Sequence, residues 1–448
     1  MGTSASKATS ASQSSDLSQT GTSSAAGEPP APTKRKIEDI NLLGETFTFA
    51  IPTDFDGLAG TGFCENESSS ALVNEKIKER DDFIYQICNG KIEIVKMTMK
   101  AIEETLASGN GTIDFIYAPY GTVSAKYCRD VNSLFLDFGE TLWSESITTG
   151  MMEDGAGYGV EGVFALENID TMSAAFFNKA VKEKSDSLKN IDFYDYLYTN
   201  EWTLDKLLAL SKVAASETGA CGLISAKGGI AALYFGAGQK YVNRADAENG
   251  KSTFTHGFTA SAYEVTEKLA EIYADGSTRV LEHSAVKESF KSGEALFACG
   301  TLGDINGYYE EKAQFGIMPM PKLSSAQAEY ASHMNKKPNI LFVIDSGKSA
   351  KLMGDFLWAF TNRTAKVYSS YCDEYKYFKV FDTDSSVVID EIICSAVFDM
   401  AYYNEWADVN EKYISAVATG QSPSEEWLAA LGAETEKAAF EYMKVSWQ

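Results

Sequence analysis

The sequence predicts an α/β protein organised around parallel β-sheet, and three observations lead there. Between Glu45 and Ala118 five segments alternate strand, helix, strand, helix, strand at the spacing of parallel α/β units. The last of them, Ile113–Ala118 (IDFIYA), is nearly all apolar, as a strand covered on both faces should be. At 448 residues the chain also has the length for two or three domains, each able to bury a core.

The first strand, Glu45–Ile51 (ETFTFAI), is aromatic and β-branched and is closed by Pro52, Thr53 and Asp54. Helix formers fill Asn74–Ile87, and Lys91–Met97 (KIEIVKM) alternates with period two. A second helical stretch, Lys100–Ala107, stops at Gly109-Asn110-Gly111. The loops at the strand C-termini, 53–57 and 119–122, are where open sheets put ligands. Farther on, Val160–Leu166 reads as a strand and Ala174–Lys184 as a helix. Trp202–Val213 is a clearer helix, with Thr203 as N-cap, Asp205 in the first turn and Leu204, Leu207 and Leu208 on one face. Trp202 is read as its structural staple. Leu233, Tyr234, Phe235 and Tyr241 cluster beside Gly236 and Gly238. Ala262–Tyr273 is helical by the spacing of Val265, Leu269, Ile272 and Tyr273. Phe315–Met320 and Ile340–Ile344 are short strands. Ser349 then opens a helix whose apolar face is Leu352, Met353, Phe356, Leu357 and Phe360, and helix continues to the end.

Residues 1–40 differ from everything after them. From Met1 to Thr33 there are 14 Ser or Thr and three Pro, and beyond Met1 the only large apolar residue is Leu17. Such a segment buries too little apolar surface to offset its ordering entropy, so a flexible linker is expected, closed by Lys34-Arg35-Lys36. The MGTSAS start formally fits a myristoylation pattern, but with two free variables in a Ser-rich tail that match carries no information. No signal-peptide core is present and no apolar run reaches 18 residues. Against 39 basic side chains stand 63 acidic ones, a net charge of −24. That balance disfavours nucleic acid and anionic ligands and suits a neutral or cationic one.

Several motifs fail on inspection. Gly157-Tyr158-Gly159-Val160-Glu161-Gly162 has the GxGxxG form but lacks a preceding strand and following helix, and reads as a hinge or loop. Asp54-Phe55-Asp56-Gly57 spaces its carboxylates wrongly for a calcium loop, with Pro52 where a ligand belongs. Three His leave little room for a His-rich metal site. The seven Cys, 64, 88, 128, 221, 299, 372 and 394, form no CxxC and fit neither a full disulfide framework nor a zinc ribbon. Cys299 and Cys394 read as small buried hydrophobes, and the set points to a reducing compartment or anoxic surroundings.

Read in order, the segments resemble a family. NEKIKER (Asn74–Arg80) before KIEI, FFNK (Phe176–Lys179), EWTLDKL (Glu201–Leu207), FKSGEALFACG (Phe290–Gly300), FGIMPMPK (Phe315–Lys322) and NILFVIDSGKSAKLMGDFLWAF (Asn339–Phe360) carry it. They resemble the extracellular solute-binding proteins of bacterial ABC sugar importers, in the family 1 branch related to maltose-binding protein and its clostridial-type, Gram-positive lipoproteins. The resemblance implies a two-lobed periplasmic-binding-protein-like fold of type II, a hinged clamp. Its N-lobe would hold residues 41–155 and 296–348, its C-lobe 156–295 and 349–448, with the glycines at 155–162 and 300–303 near the crossovers. The Ser/Thr-rich start then reads as the spacer of a mature exported chain, tethered at the outer membrane face by a lipid-modified Cys that, with its leader, is absent from this sequence.

Sugars present apolar C–H faces to aromatic rings and hydroxyls to carboxylates and amides, so cleft candidates are aromatic and acidic residues in loops at the sheets' C-terminal edges or, as for Trp143, at positions the resemblance implies. These are Asp54 and Phe55 after the first strand, Tyr120 after the third, Trp143, Tyr234, and Asp304 after ALFACG. In AYYNEWADV they are Tyr402, Tyr403 and Trp406, which resemble the late C-lobe aromatic platform. Leu302 stands where the family's stacking Trp is expected. The expected function is capture of a neutral oligosaccharide by a monomer and its delivery to the transmembrane subunits of an ABC permease, with no catalytic residue, metal or cofactor. The alternatives are a surface glycoside hydrolase or lyase, which would need two carboxylates about 5 Å apart, and a non-transport glycan-binding adhesin.

Overall fold

Strands and helices alternate from Thr46 to Pro119, and most of the strands of the chain gather into two five-stranded sheets. The computed structural model describes residues 34–67, 69–246 and 251–445. In chain order the strands are β1 (Thr46–Pro52), β2 (Lys91–Met97), β3 (Phe115–Pro119), β4 (Gly159–Val160) and β5 (Ser173–Asn178). There follow β6 (Cys221–Ser225), β7 (Val242–Asp246), β8 (Ser252–His256), β9 (Thr278–Val280) and β10 (Ala295–Thr301). The last four are β11 (Phe315–Met318), β12 (Ser332–His333), β13 (Asn339–Val343) and β14 (Ala396–Val397).

The first sheet runs β2-β1-β3-β13-β4, with β1 parallel to both neighbours and β13 antiparallel to β3 and β4. The expected parallel unit at 45–118 is therefore present. Its helices start three residues and one residue earlier than expected, because Ser70 and Thr98 accept from the amides of Val73 and Ala101 and so cap Ala71–Gln86 and Met99–Ser108. Gly109, at φ +67°, ends the second of these in the left-handed conformation that glycine adopts without strain. An aromatic layer fills the core below: Phe47 stacks on Phe356 at 3.8 Å, and Phe49 packs on Phe115 and Phe360 at 4.9 Å.

The second sheet runs β11-β5-β10-β6-β9. β5 is a correction to the expected helix at 174–184. All six of its residues are buried, and a continuous apolar run covered on both faces has no period that separates it from a buried helix. Only Lys179–Glu183 is helical there, capped by Asn178. Likewise Val160–Leu166 is strand only at Val160, and the GxGxxG stretch forms the edge strand β4 and a turn. Thr203 and Ser349 cap their helices as expected, and Trp202 is wholly buried with Nε1 donating to the Pro319 carbonyl at 2.8 Å.

The chain crosses between the sheets three times: from β4 to β5 through the short helix Leu166–Asp170, from β11 back to β13, and along the helix Ala350–Asp373. The first two crossings are tied together. Asn168 exchanges hydrogen bonds with the backbone of Asn339 at 2.8 and 2.9 Å, and the Asn335 amide donates to the Thr171 carbonyl. This topology corrects the expected division at 296–348 and 349–448. β10 and β11 belong to the second sheet because β10 pairs with β5 and β6, while Ala350–Asp373 begins against the first sheet through Phe356.

Two further expectations change. Of the expected linker, 1–33 lies outside the described residues, but Arg35 is docked, donating to Asp355 and to the Leu134 and Phe135 carbonyls. Cys299 is buried as expected, whereas Cys394 is exposed at the end of the helix Thr383–Cys394; all seven thiols are unpaired.

Candidate functional site

The C-terminal ends of β1, β3 and β10 and the first two crossings open on one cavity of about 470 Å³. Phe55, half-buried, and Asp56 come from the loop after β1; Pro119 ends β3; Thr301, Gly303 and Asp304 follow β10. Both sheets thus contribute a wall, as expected for ligand sites at sheet switch points. The crossings supply the floor. Glu167 accepts from the Thr61 amide at 2.7 Å and from the Tyr117 hydroxyl at 2.8 Å. Asp170 accepts from Tyr371 and Tyr375 at 2.8 and 2.6 Å. Burial raises the Asp170 carboxyl above its ordinary range, against the pull of the two phenols.

A second cavity of about 340 Å³ adjoins the first across the exposed segment Asn335, Lys336 and Lys337, which lines both. Its other wall holds Tyr402, Tyr403, Glu405, Asp408 and Asn410. Glu405, Ala407 and Asp408 all have φ between 52 and 54°, a left-handed run rare outside glycine and found mostly where surrounding structure imposes it. It presents two exposed carboxylates beside the Tyr402 ring, whose phenol burial pushes up to about 12.

The nine sequence candidates separate. Phe55, Asp304, Tyr402 and Tyr403 line these cavities. Asp304 is nevertheless engaged, accepting from the Thr301 amide at 2.9 Å and pairing with Lys287 at 2.5 Å, and Tyr403 shares hydrogen bonds with the backbone of Met334. Asp54 caps the helix after β2 by accepting from the Met99 amide at 2.9 Å. Tyr120 turns aside to pack edge-on against Phe398 at 5.2 Å, its hydroxyl accepting from Asn404. Tyr234 is wholly buried among Tyr241, Phe258 and Tyr413, and Trp406 is 5% exposed between Phe254 and Tyr442. Trp143 packs on Phe138 and Phe164 and lines a third cavity elsewhere. Sequence reasoning passed over Glu167, Asp170, Asn335, Lys336, Glu405 and Asp408. The paired acids of LENID and NEWAD were the available signal. Among the described residues no three His, Cys, Asp or Glu side chains converge as a metal site.

No protein-family model matches this sequence, and no curated protein matches it. Solved structures do. One is the cyclic α-maltosyl-1,6-maltose binding protein from Arthrobacter globiformis, 13% identical, with a TM-score of 0.57 over 88% of this chain and 98% of that one. The chain has the two-lobed fold of the periplasmic sugar-binding proteins. The maltose-binding periplasmic protein of Listeria monocytogenes, in complex with maltose, matches this fold with a TM-score of 0.56, 15% identity and coverage of 89% and 98%. A family 1 extracellular solute-binding protein from Bifidobacterium longum subsp. infantis gives 0.56, 14%, 87% and 98%. In this two-lobed fold the first cavity lies between walls drawn from both sheets, and the second continues it past the 335–337 segment.

Proposed function

We propose that the protein captures a neutral oligosaccharide in the cleft between its lobes and hands it to the permease of an ABC importer, without chemical conversion. The observation that carries this reading is the cleft lining, in which Phe55 and Tyr402 offer ring faces or edges among carboxylates and amides. That mixture matches the C–H faces and hydroxyls of pyranoses. Carboxyl groups, Asp56, Glu405, Asp408 and Glu411 among them, outnumber Lys287, Lys336 and Lys337 in the lining, so it does not select an anion, and the overall charge of −24 opposes one. Proteins of the same fold bind maltose, maltotetraose and cycloalternan, which supports a glycan ligand. We place the protein at the outer face of a Gram-positive membrane, held there by a lipid anchor preceding the Ser/Thr-rich segment.

Calorimetric titration with a panel of neutral oligosaccharides tests the reading. At least one should bind, and Tyr402→Ala, with its circular dichroism unchanged, should weaken that sugar by about 1–3 kcal/mol. Failure of every sugar, or undiminished affinity in the variant, would remove the cleft from this role. Accumulation of new reducing ends in the bound mixture would instead make the protein a hydrolase.

A further inference from the structure

The short helix Leu166–Asp170 is a partition. Glu167, Asp170 and the following Thr171 face the cleft, while Asn168, Ile169 and the following Met172 line a separate cavity of about 680 Å³ on the other side. All three crossings contribute to this second chamber, through Ile169 and Met172, Met334, and Tyr368. Its walls are mainly apolar, with Trp143, Tyr330 and Tyr368 as aromatic surfaces. No lysine, arginine or histidine lines it, but three glutamates do: Glu145 and Glu329 at the exposed margin and Glu161 inside, 7% exposed.

Glu161 is chemically unusual. Asn168 donates to its Oε1 at 3.0 Å, and no cation among the described residues lies near enough to perturb it. Burial pushes the carboxyl up to about 7, with Asn168 and Ser144 holding it down. A buried carboxylate without a counter-charge is costly, and a cationic ligand would remove that cost. Two lining side chains also keep a buried polar atom unpartnered, Nε1 of Trp143 and the hydroxyl of Tyr330.

We propose that this chamber is a second ligand site, separate from the sugar cleft, that takes an organic amine with an apolar frame. The ammonium group pairs with Glu161, and the frame lies against Trp143 and Tyr368, whose ring faces attract cations as well as hydrocarbon. The Tyr330 ring already carries the Lys322 ammonium at 4.0 Å and contributes its unpartnered hydroxyl instead. The chamber volume lies within the ordinary range for small-molecule sites.

Three probes with one frame and different heads test this: phenethylamine, 2-phenylethanol and 3-phenylpropanoate, titrated by calorimetry into the full chain. Phenethylamine should bind at least tenfold more tightly than the other two. Glu161→Gln should erase that preference while leaving 2-phenylethanol unchanged. A readout needing no variant comes from Cys394, exposed on the same wall, whose alkylation by iodoacetamide can be followed by peptide mass spectrometry. Phenethylamine should slow its labelling and 3-phenylpropanoate should not. Equal binding of the three probes, no binding of the amine, or unprotected Cys394 at amine saturation would each overturn the proposal.

Discussion

His333 stacks on Phe235 at 4.8 Å, meets Tyr402 edge-on at 5.2 Å, and shares a 3.0 Å hydrogen bond between Nδ1 and Ser173. Burial pushes its pKa down to about 3, so the folded protein holds it neutral. An unfolded chain would protonate it near 6.5. Above that pH neither state binds the proton and the contribution to stability is complete. As pH falls from 6.5 towards 3, only the unfolded state gains a proton, and stability is lost. Urea denaturation should therefore show the wild type losing about 3 kcal/mol more between pH 7 and pH 4 than His333→Gln, by the linkage of 1.36 kcal/mol per unit. Coincident pH dependences would refute this. Burial also explains which single residues were legible. Trp202 announced itself as a helix-start staple, but nothing in AYYNEWADV separates Tyr402, at the cavity, from Trp406, inside the core. A left-handed turn at Glu405, Ala407 and Asp408 separates them, and of these residue types only Asp is enriched in that conformation.

Among the elements, capped helices and period-two strands were readable because caps and alternation are local. β5 was not, since its apolar run reads the same in either conformation and only its partners β10 and β11 decide. The β7–β8 hairpin was equally silent in the sequence, yet it forms a clasp. Arg244 donates to the Thr149, Gly150 and Met152 carbonyls at 2.7, 3.2 and 2.5 Å, closing the helix Glu145–Gly150. Next to it, Ser252 and Asp154 exchange two hydrogen bonds at 2.7 and 3.0 Å. Arg244→Ala leaves those carbonyls without this partner and should cost roughly 1–3 kcal/mol. Hydrogen exchange should quicken at residues 150–157 and remain unchanged in β1. Uniform acceleration would mean that Arg244 stabilises the whole protein rather than this junction.

Over the whole molecule, the presence of an α/β fold in two lobes was legible from the ordered segments, and the boundaries were not. They depend on β10 pairing with β5 and β6 across long stretches of chain, a non-local choice that no short segment encodes. Two lobes joined by three crossings should move about them when a ligand bridges the cleft. Small-angle scattering should then record a smaller radius of gyration at saturation with the sugar that binds, and an unchanged radius would argue for a preformed rigid site. The partition helix gives that motion a further property. Its two faces look into different chambers, with Glu167 and Asp170 on one side and Asn168 and Ile169 on the other. If the lobes pivot about this helix, narrowing the cleft should widen the chamber beyond it, and the two volumes should change in opposite directions.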